Sequence, residues 1–212
     1  EKEIKRMVNA GKSGKIIFNG TGATGGISKL QQIIGVYWPP TTKKRINDYL
    51  NGPLKDADEH KRVCHSKFLD EIDGALPIVF VGPYEHHSNE IMWRETFCEV
   101  VEIPLDSDGF IDLQTLDKEL ANPKYTNREK IGSFSAASNV SGVRTDVYEI
   151  ARILHKHGAI ACFDFAACAP YIEINMNKDD ESYFDAIYLS PHKFLGGPGS
   201  SGILVFNERI YK

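Results

Sequence analysis

The chain has 212 residues, 42% of them apolar and 25% charged, which is enough for one substantial core and ordinary for a globular protein. Its net charge of −4 argues against a nucleic-acid partner or an anionic membrane surface, and no apolar run reaches the roughly 18 residues a membrane span needs. The four cysteines form no CxxC pair and no zinc spacing, so no metal site is expected and a reducing compartment is the default.

Residues 1–10 read as the end of a helix; 1–7 are charged and lack a signal-peptide core, so a cytoplasmic protein is expected. The chain opens and closes inside segments that look structured, which reads as part of a longer protein. Strand-like and helix-like segments then alternate, the pattern of an α/β domain with a mainly parallel, mixed sheet flanked by helices. Residues 15–19 are strand-like, 20–26 a glycine-rich turn and 27–34 helical. Residues 36–75, with Pro39-Pro40 and helical pieces near 43–50 and 59–72, read as a helical insertion. Then come a strand at 77–81, a helix at 90–97, extended chain at 100–104 and a turn at 106–109. Asp112 is the expected N-cap of a helix reaching Leu120. A strand at 131–135 precedes a helix at 146–157 that Gly158 closes, and further strands fall at 159–164, 185–189 and 201–206.

Ligands of such sheets bind beyond the carboxyl ends of the strands, so the residues after each strand carry the functional information. After the first comes Gly20-Thr21-Gly22-Ala23-Thr24-Gly25-Gly26, where free backbone N–H groups and a helix dipole would favour a phosphate. The same residues spell Gly20-x-Gly22-x-x-Gly25, a dinucleotide fingerprint. That reading expects an acidic residue ending a second strand, and Asp48 lies instead in a helical, proline-flanked stretch. Residues 11–15, Gly-Lys-Ser-Gly-Lys, are no P-loop, because Ile16 follows where Ser or Thr is needed. After the strand at 77–81 comes Glu85-His86-His87-Ser88-Asn89, whose flat imidazoles can stack on a ring or move protons. Ser138-Asn139-Val140 follows the strand at 131–135; Asn139 can offer an amide to a ligand oxygen or form an Asx turn.

Asp164 ends an apolar strand, where a carboxylate is desolvated unless a cation or donor meets it. Ser190-Pro191-His192-Lys193 joins the strand at 185–189 to a glycine-rich loop. A lysine is most often solvated, but one placed beside a histidine at a strand end is a candidate nucleophile if burial and nearby positive charge lower its pKa.

In order and placement, Gly22-Ala23-Thr24-Gly25, Glu85-His86-His87-Ser88-Asn89, Ser138-Asn139-Val140, Asp164 and Ser190-x-His192-Lys193 resemble the class V aminotransferase family of fold-type I enzymes, which use pyridoxal 5′-phosphate (PLP). The nearest branch is that of the cysteine desulfurases and selenocysteine lyases. The likeness implies an aspartate aminotransferase-like, PLP-binding large domain over residues 1–212, incomplete and without its C-terminal small domain. It implies that Lys193 carries the cofactor as a Schiff base and moves protons at the substrate α-carbon. Asp164 pairs with the ring nitrogen, His86 stacks on the ring and Asn139 faces its hydroxyl; Ala23, Thr24, Ser190 and His192 hold the phosphate. An amino acid substrate and a homodimer are implied as well. Two positions depart from the family. Ala167 stands where a glutamine is frequent, and Gly199 where a threonine reaches the neighbouring subunit's phosphate. The substrate-carboxylate arginine and the desulfurase cysteine have no counterpart to point to. Two alternatives stand beside this reading: an oxidoreductase built on the Gly20–Gly25 turn, and a catalytically inactive fragment of the PLP fold.

Overall fold

The computed structural model describes residues 1–52, 71 and 74–211. Seven strands form one sheet in the order β1-β7-β6-β5-β4-β2-β3: β1 Gly14–Asn19, β2 Ile78–Val81, β3 Glu99–Glu102, β4 Lys130–Ser135, β5 Ile160–Asp164, β6 Ala186–Leu189 and β7 Gly202–Asn207. The pairings from β3 through β2, β4 and β5 to β6 are parallel, whereas β7 runs antiparallel to both β6 and β1. The expected mainly parallel, mixed sheet is therefore present, with its antiparallel part confined to one edge.

Both faces are covered, which is why the central strands are apolar on both sides. In β2, Ile78 and Phe80 join one core while Val79 and Val81 join the other. The first core also takes Leu116 and Leu120 from α5 (Leu113–Leu120) and Ile150, Ala151 and Leu154 from α6 (Val147–Lys156). The second takes Ile27 and Leu30 from α2 (Gly22–Ile33) and Trp93 from α4 (His87–Arg94). Short α1 (Lys2–Met7) precedes β1.

Local chemistry sets several ends as expected. Asp112 caps α5 by accepting the N–H groups of Gln114 and Thr115, each at 3.0 Å. Asp146 caps α6 through the Glu149 N–H, and Gly158 follows that helix at φ +68°. Two starts differ. Helix α2 begins at Gly22, so most of the expected glycine turn is its first turn. Helix α4 begins at His87 rather than Glu90, because His86 acts as its N-cap. Helix α3 (Pro40–Asn51) matches the first helical piece expected in the insertion, whereas the second, near 59–72, lies but for Glu71 outside the described residues. Among the described residues no helix is long and apolar enough to cross a membrane.

The dinucleotide reading does not survive the topology. Its phosphate turn must join two parallel strands, but β1 is an edge strand paired antiparallel with β7. Asp48 sits within α3 rather than at a strand end.

Candidate active site

The carboxyl ends of β1, β4, β5 and β6 open onto one cavity of about 200 Å³. All eight residues proposed from the sequence line it: Ala23 and Thr24 from α2, His86 from the loop before α4, Asn139 from the segment after β4, Asp164 at the end of β5, and Ser190, His192 and Lys193 beyond β6.

On one side the turn after β1 delivers the N-terminus of α2. Thr21 stands at the N-cap without a side-chain bond, which leaves the first N–H groups of the helix for other acceptors. The Ser190 hydroxyl takes one, the Ala23 N–H, at 2.9 Å. Gly22 permits this approach: its φ is +57°, and a Cβ there would lie 2.6 Å from His192 Cε1 and 2.8 Å from Ser190 Oγ. Backbone N–H groups, a helix dipole, a hydroxyl and an imidazole thus surround one corner, as an anion requires.

Asp164 forms the floor. It is 3% exposed, its Oδ1 accepts the Ala166 N–H at 2.8 Å, and burial lifts its pKa to about 6 against the pull of that N–H and of Lys193. A carboxylate held so far from water suits a cationic donor brought in by a ligand. His86 forms a wall. Its Nδ1 accepts the Ser88 N–H at 3.2 Å, so the proton of the neutral ring lies on Nε2. Partial burial and the charge of Lys193 hold its pKa below the usual value, as does His87 to a smaller extent. Lys193 lies in the single turn Pro191–Lys193 and is exposed, contrary to the buried setting expected of a nucleophilic amine. The Asx turn considered for Asn139 is made by its neighbour: Ser138 Oγ accepts the N–H groups of Val140 and Ser141, each at 3.2 Å.

Small side chains close the site between Asn139 and Asp164, where Ala137, Ala166 and Ala167 line the cavity. Cys162 is fully buried in β5, and burial raises its thiol pKa; Cys168 is raised to about 11 for the same reason. Cys64 lies outside the described residues. Among the described residues no three His, Cys, Asp or Glu side chains converge as metal ligands do.

One residue quoted from the sequence without a role is central. Glu85 accepts the N–H of Ser135 at 2.9 Å and of Gly82 at 3.3 Å through Oε1, and the Ser135 hydroxyl and Asn89 Nδ2, both at 2.6 Å, through Oε2. Burial nevertheless pushes its pKa up to about 7, helped by the charge of Asp164. Asn89, fully buried, also donates to the Ser133 carbonyl and accepts the Ser133 hydroxyl and the Trp93 indole N–H. The signal for this network was the alternation in β4, where Ser133 and Ser135 interrupt an apolar, buried strand.

A mixed seven-stranded sheet bearing its cavity at these strand ends is the fold-type I architecture. The chain superimposes on the apo structure of a cysteine desulfurase from Thermococcus onnurineus NA1 with a TM-score of 0.68 at 20% identity, covering 98% of this chain and 42% of that one. Residues 77–211 match the family model described as aminotransferase class-V, and the chain belongs to that family. Among curated proteins it is 35% identical over 130 residues to a probable cysteine desulfurase of Halalkalibacterium halodurans, covering 59% of this chain and 30% of that protein. It is 28% identical over 197 residues to a probable cysteine desulfurase of Pyrococcus abyssi, covering 88% of this chain and 46% of that protein. The chain thus spans less than half the length of either relative.

Proposed function

We propose that this chain is the PLP-binding large domain of an enzyme that acts on an amino acid, most like the cysteine desulfurases. The observation that carries the reading is the convergence on one cavity of an anion-binding helix start, a buried carboxylate, a flat neutral imidazole and an exposed amine. The family uses PLP, and these residues fit it: its phosphate suits the corner around Gly22, and its protonated ring nitrogen suits Asp164. When bound, PLP supplies an aldehyde that condenses with amines and a ring that draws electrons from the adjoining carbon.

The chain's own residues divide the remaining work. Ala23 and Thr24, with Ser190 and His192, hold the phosphate. Asp164 holds the proton of the ring nitrogen, and its burial strengthens that pairing. His86, kept neutral beside Lys193, packs on the ring face, and Asn139 faces the ring hydroxyl. Lys193 would supply the amine that holds the cofactor and would hold the proton moved at the substrate α-carbon. Its exposure leaves it open to solvent in this chain alone, which agrees with a homodimeric site that a second copy and further chain would cover. The buried thiols Cys162 and Cys168 suit a reducing, cytoplasmic setting.

The test is an absorbance titration of the purified chain with PLP, followed by borohydride reduction and peptide mapping. The expected result is a new visible or near-ultraviolet band and a stable label on Lys193, both lost in Lys193→Ala. A folded chain that carries its label on other lysines, or none at all, overturns the reading.

A further inference from the structure

We propose that Glu85 is the positioning residue of this site: its carboxylate clamps the loop that carries His86 to the end of β4, beside Asp164. The inference rests on the PLP reading above for what the clamp serves, and on hydrogen bonding for the clamp itself. Four donors from three places converge on one carboxylate: Gly82 just after β2, Asn89 in α4, and the backbone and hydroxyl of Ser135 at the end of β4. Ser135 is the register partner of Asp164 across β4 and β5, so the clamp is fixed to the same strand ends as the floor of the cavity. His86 follows Glu85 directly and caps α4, the helix that Asn89 ties back to Ser133.

A loop whose tip is exposed holds an imbedded geometry only if something buried anchors it, and hydrogen bonds to a charged acceptor in low dielectric are strong anchors. His86 itself is exposed, and the bonds made by its ring go to Ser88 in the first turn of α4, two residues on, and do not reach the sheet. Glu85, directly next to His86 in the chain, is therefore, with Asn89, a point at which the imidazole wall is referred to the sheet. Glu85→Gln keeps the shape but turns an amide N–H toward one of these donors, Asn89 Nδ2 or the Ser135 N–H.

The experiment combines PLP affinity, measured by absorbance titration, with the ring signals of His86 in proton–carbon NMR spectra of the cofactor-free chain. At pH 8, where the Glu85 carboxylate is ionised, Glu85→Gln is expected to shift the His86 ring signals and to weaken PLP binding about tenfold, the factor expected when one charge-assisted bond is lost. Added to His86→Ala, it should weaken binding by no more than about twofold further, because both changes remove the same wall. Losses that multiply fully in the double variant, or unmoved His86 signals in Glu85→Gln, overturn the proposal. If Glu85→Gln does not fold, Ser135→Ala removes one donor alone and is read by the same two measurements. If the unaltered chain takes no PLP, the functional reading fails, and the His86 signals of the cofactor-free variants alone decide the role of Glu85.

Discussion

The backbone N–H of Ala23 donates a 2.9 Å hydrogen bond to the hydroxyl of Ser190, joining the first turn of α2 to the end of β6. This single contact ties the turn after the edge strand β1 to the segment that bears Lys193, and it does so with groups that an anion would also use. The corner is built by backbone approach, so its weakest point is a glycine.

Gly22→Ala should therefore be costly twice. The added Cβ meets His192 and Ser190 at 2.6 and 2.8 Å, and φ is already +57°. A loss of ~2–3 kcal/mol in urea unfolding is expected, together with loss of PLP affinity. Gly35→Ala is the control. It shares a positive φ of +81° but has no atom within 4 Å of the added Cβ, so about 1 kcal/mol of strain and unchanged PLP binding are expected. Equal effects of the two changes on binding would remove the corner from the cofactor site.

Buried Asp164 and half-buried Glu85 make the cofactor-free chain sensitive to pH in a defined direction. Asp164 rises from 3.8 to about 6 and Glu85 from 4.5 to about 7, chiefly by burial. The folded chain keeps these protons to higher pH than the unfolded chain does. Their contribution to stability is complete below about pH 4 and is lost as pH rises through about 6 and about 7. Urea unfolding should show lower stability at pH 8 than at pH 5, with Asp164 alone contributing roughly 1.4 kcal/mol of the fall, because about one pH unit of its raised range lies inside this interval. A profile that rises over this interval would show that both groups are ionised at little cost.

Much of this site was legible in the sequence because its parts follow apolar strands. The runs ending at Asp164 and Leu189 announce strands, and polar residues just beyond them are exposed to a ligand by the geometry of the sheet. The start of α2 was less legible. Gly22, Gly25 and Gly26 oppose helix by propensity, and they are tolerated because β7, His192 and Tyr188 press so close that a Cβ on Gly22 or Gly26 would touch them. The early start of α4 was hidden because histidine is not among the usual capping residues, yet His86 accepts the Ser88 N–H. Glu85 was hidden for another reason. An acidic residue before two histidines looks solvated, and only the fold brings Ser135, fifty residues away in sequence, onto its oxygens. The antiparallel setting of β7 has no local signature; it follows from how the chain returns to the sheet edge.

Lys193 and His86 should report on each other without any ligand. The positive charge of Lys193 is the second cause, after burial, that holds the His86 pKa below its usual value. Lys193→Met should therefore raise the His86 pKa, read from its ring protons in an NMR titration, while stability changes by less than about 0.5 kcal/mol because Lys193 is exposed. An unmoved titration would mean that amine and imidazole do not share the cavity in solution.

The strongest contrast is between two buried aspartates at opposite ends of the sheet. Asp185, just before β6, accepts the Ala161 N–H at 2.9 Å, His155 Nε2 at 3.0 Å and two donors from Arg209 at 2.5 and 2.7 Å. Its charge is fully answered by the protein, so Asp185→Asn removes bonds that nothing replaces, and ~2–3 kcal/mol of stability should go with them. Asp164 has one N–H and a distant amine, so the protein alone answers its charge poorly. Asp164→Asn should leave the cofactor-free chain as stable as before, or more stable at pH 8, and should weaken PLP binding. Asp185→Asn should do the reverse and leave PLP affinity within about twofold once the protein is folded, since its bonds lie at the far end of the strands. Urea unfolding and PLP titration of the two variants measure both halves of the contrast. If Asp164→Asn were the destabilised one, its carboxylate would be a structural member of the fold, and the partner inferred for it would not be a cofactor.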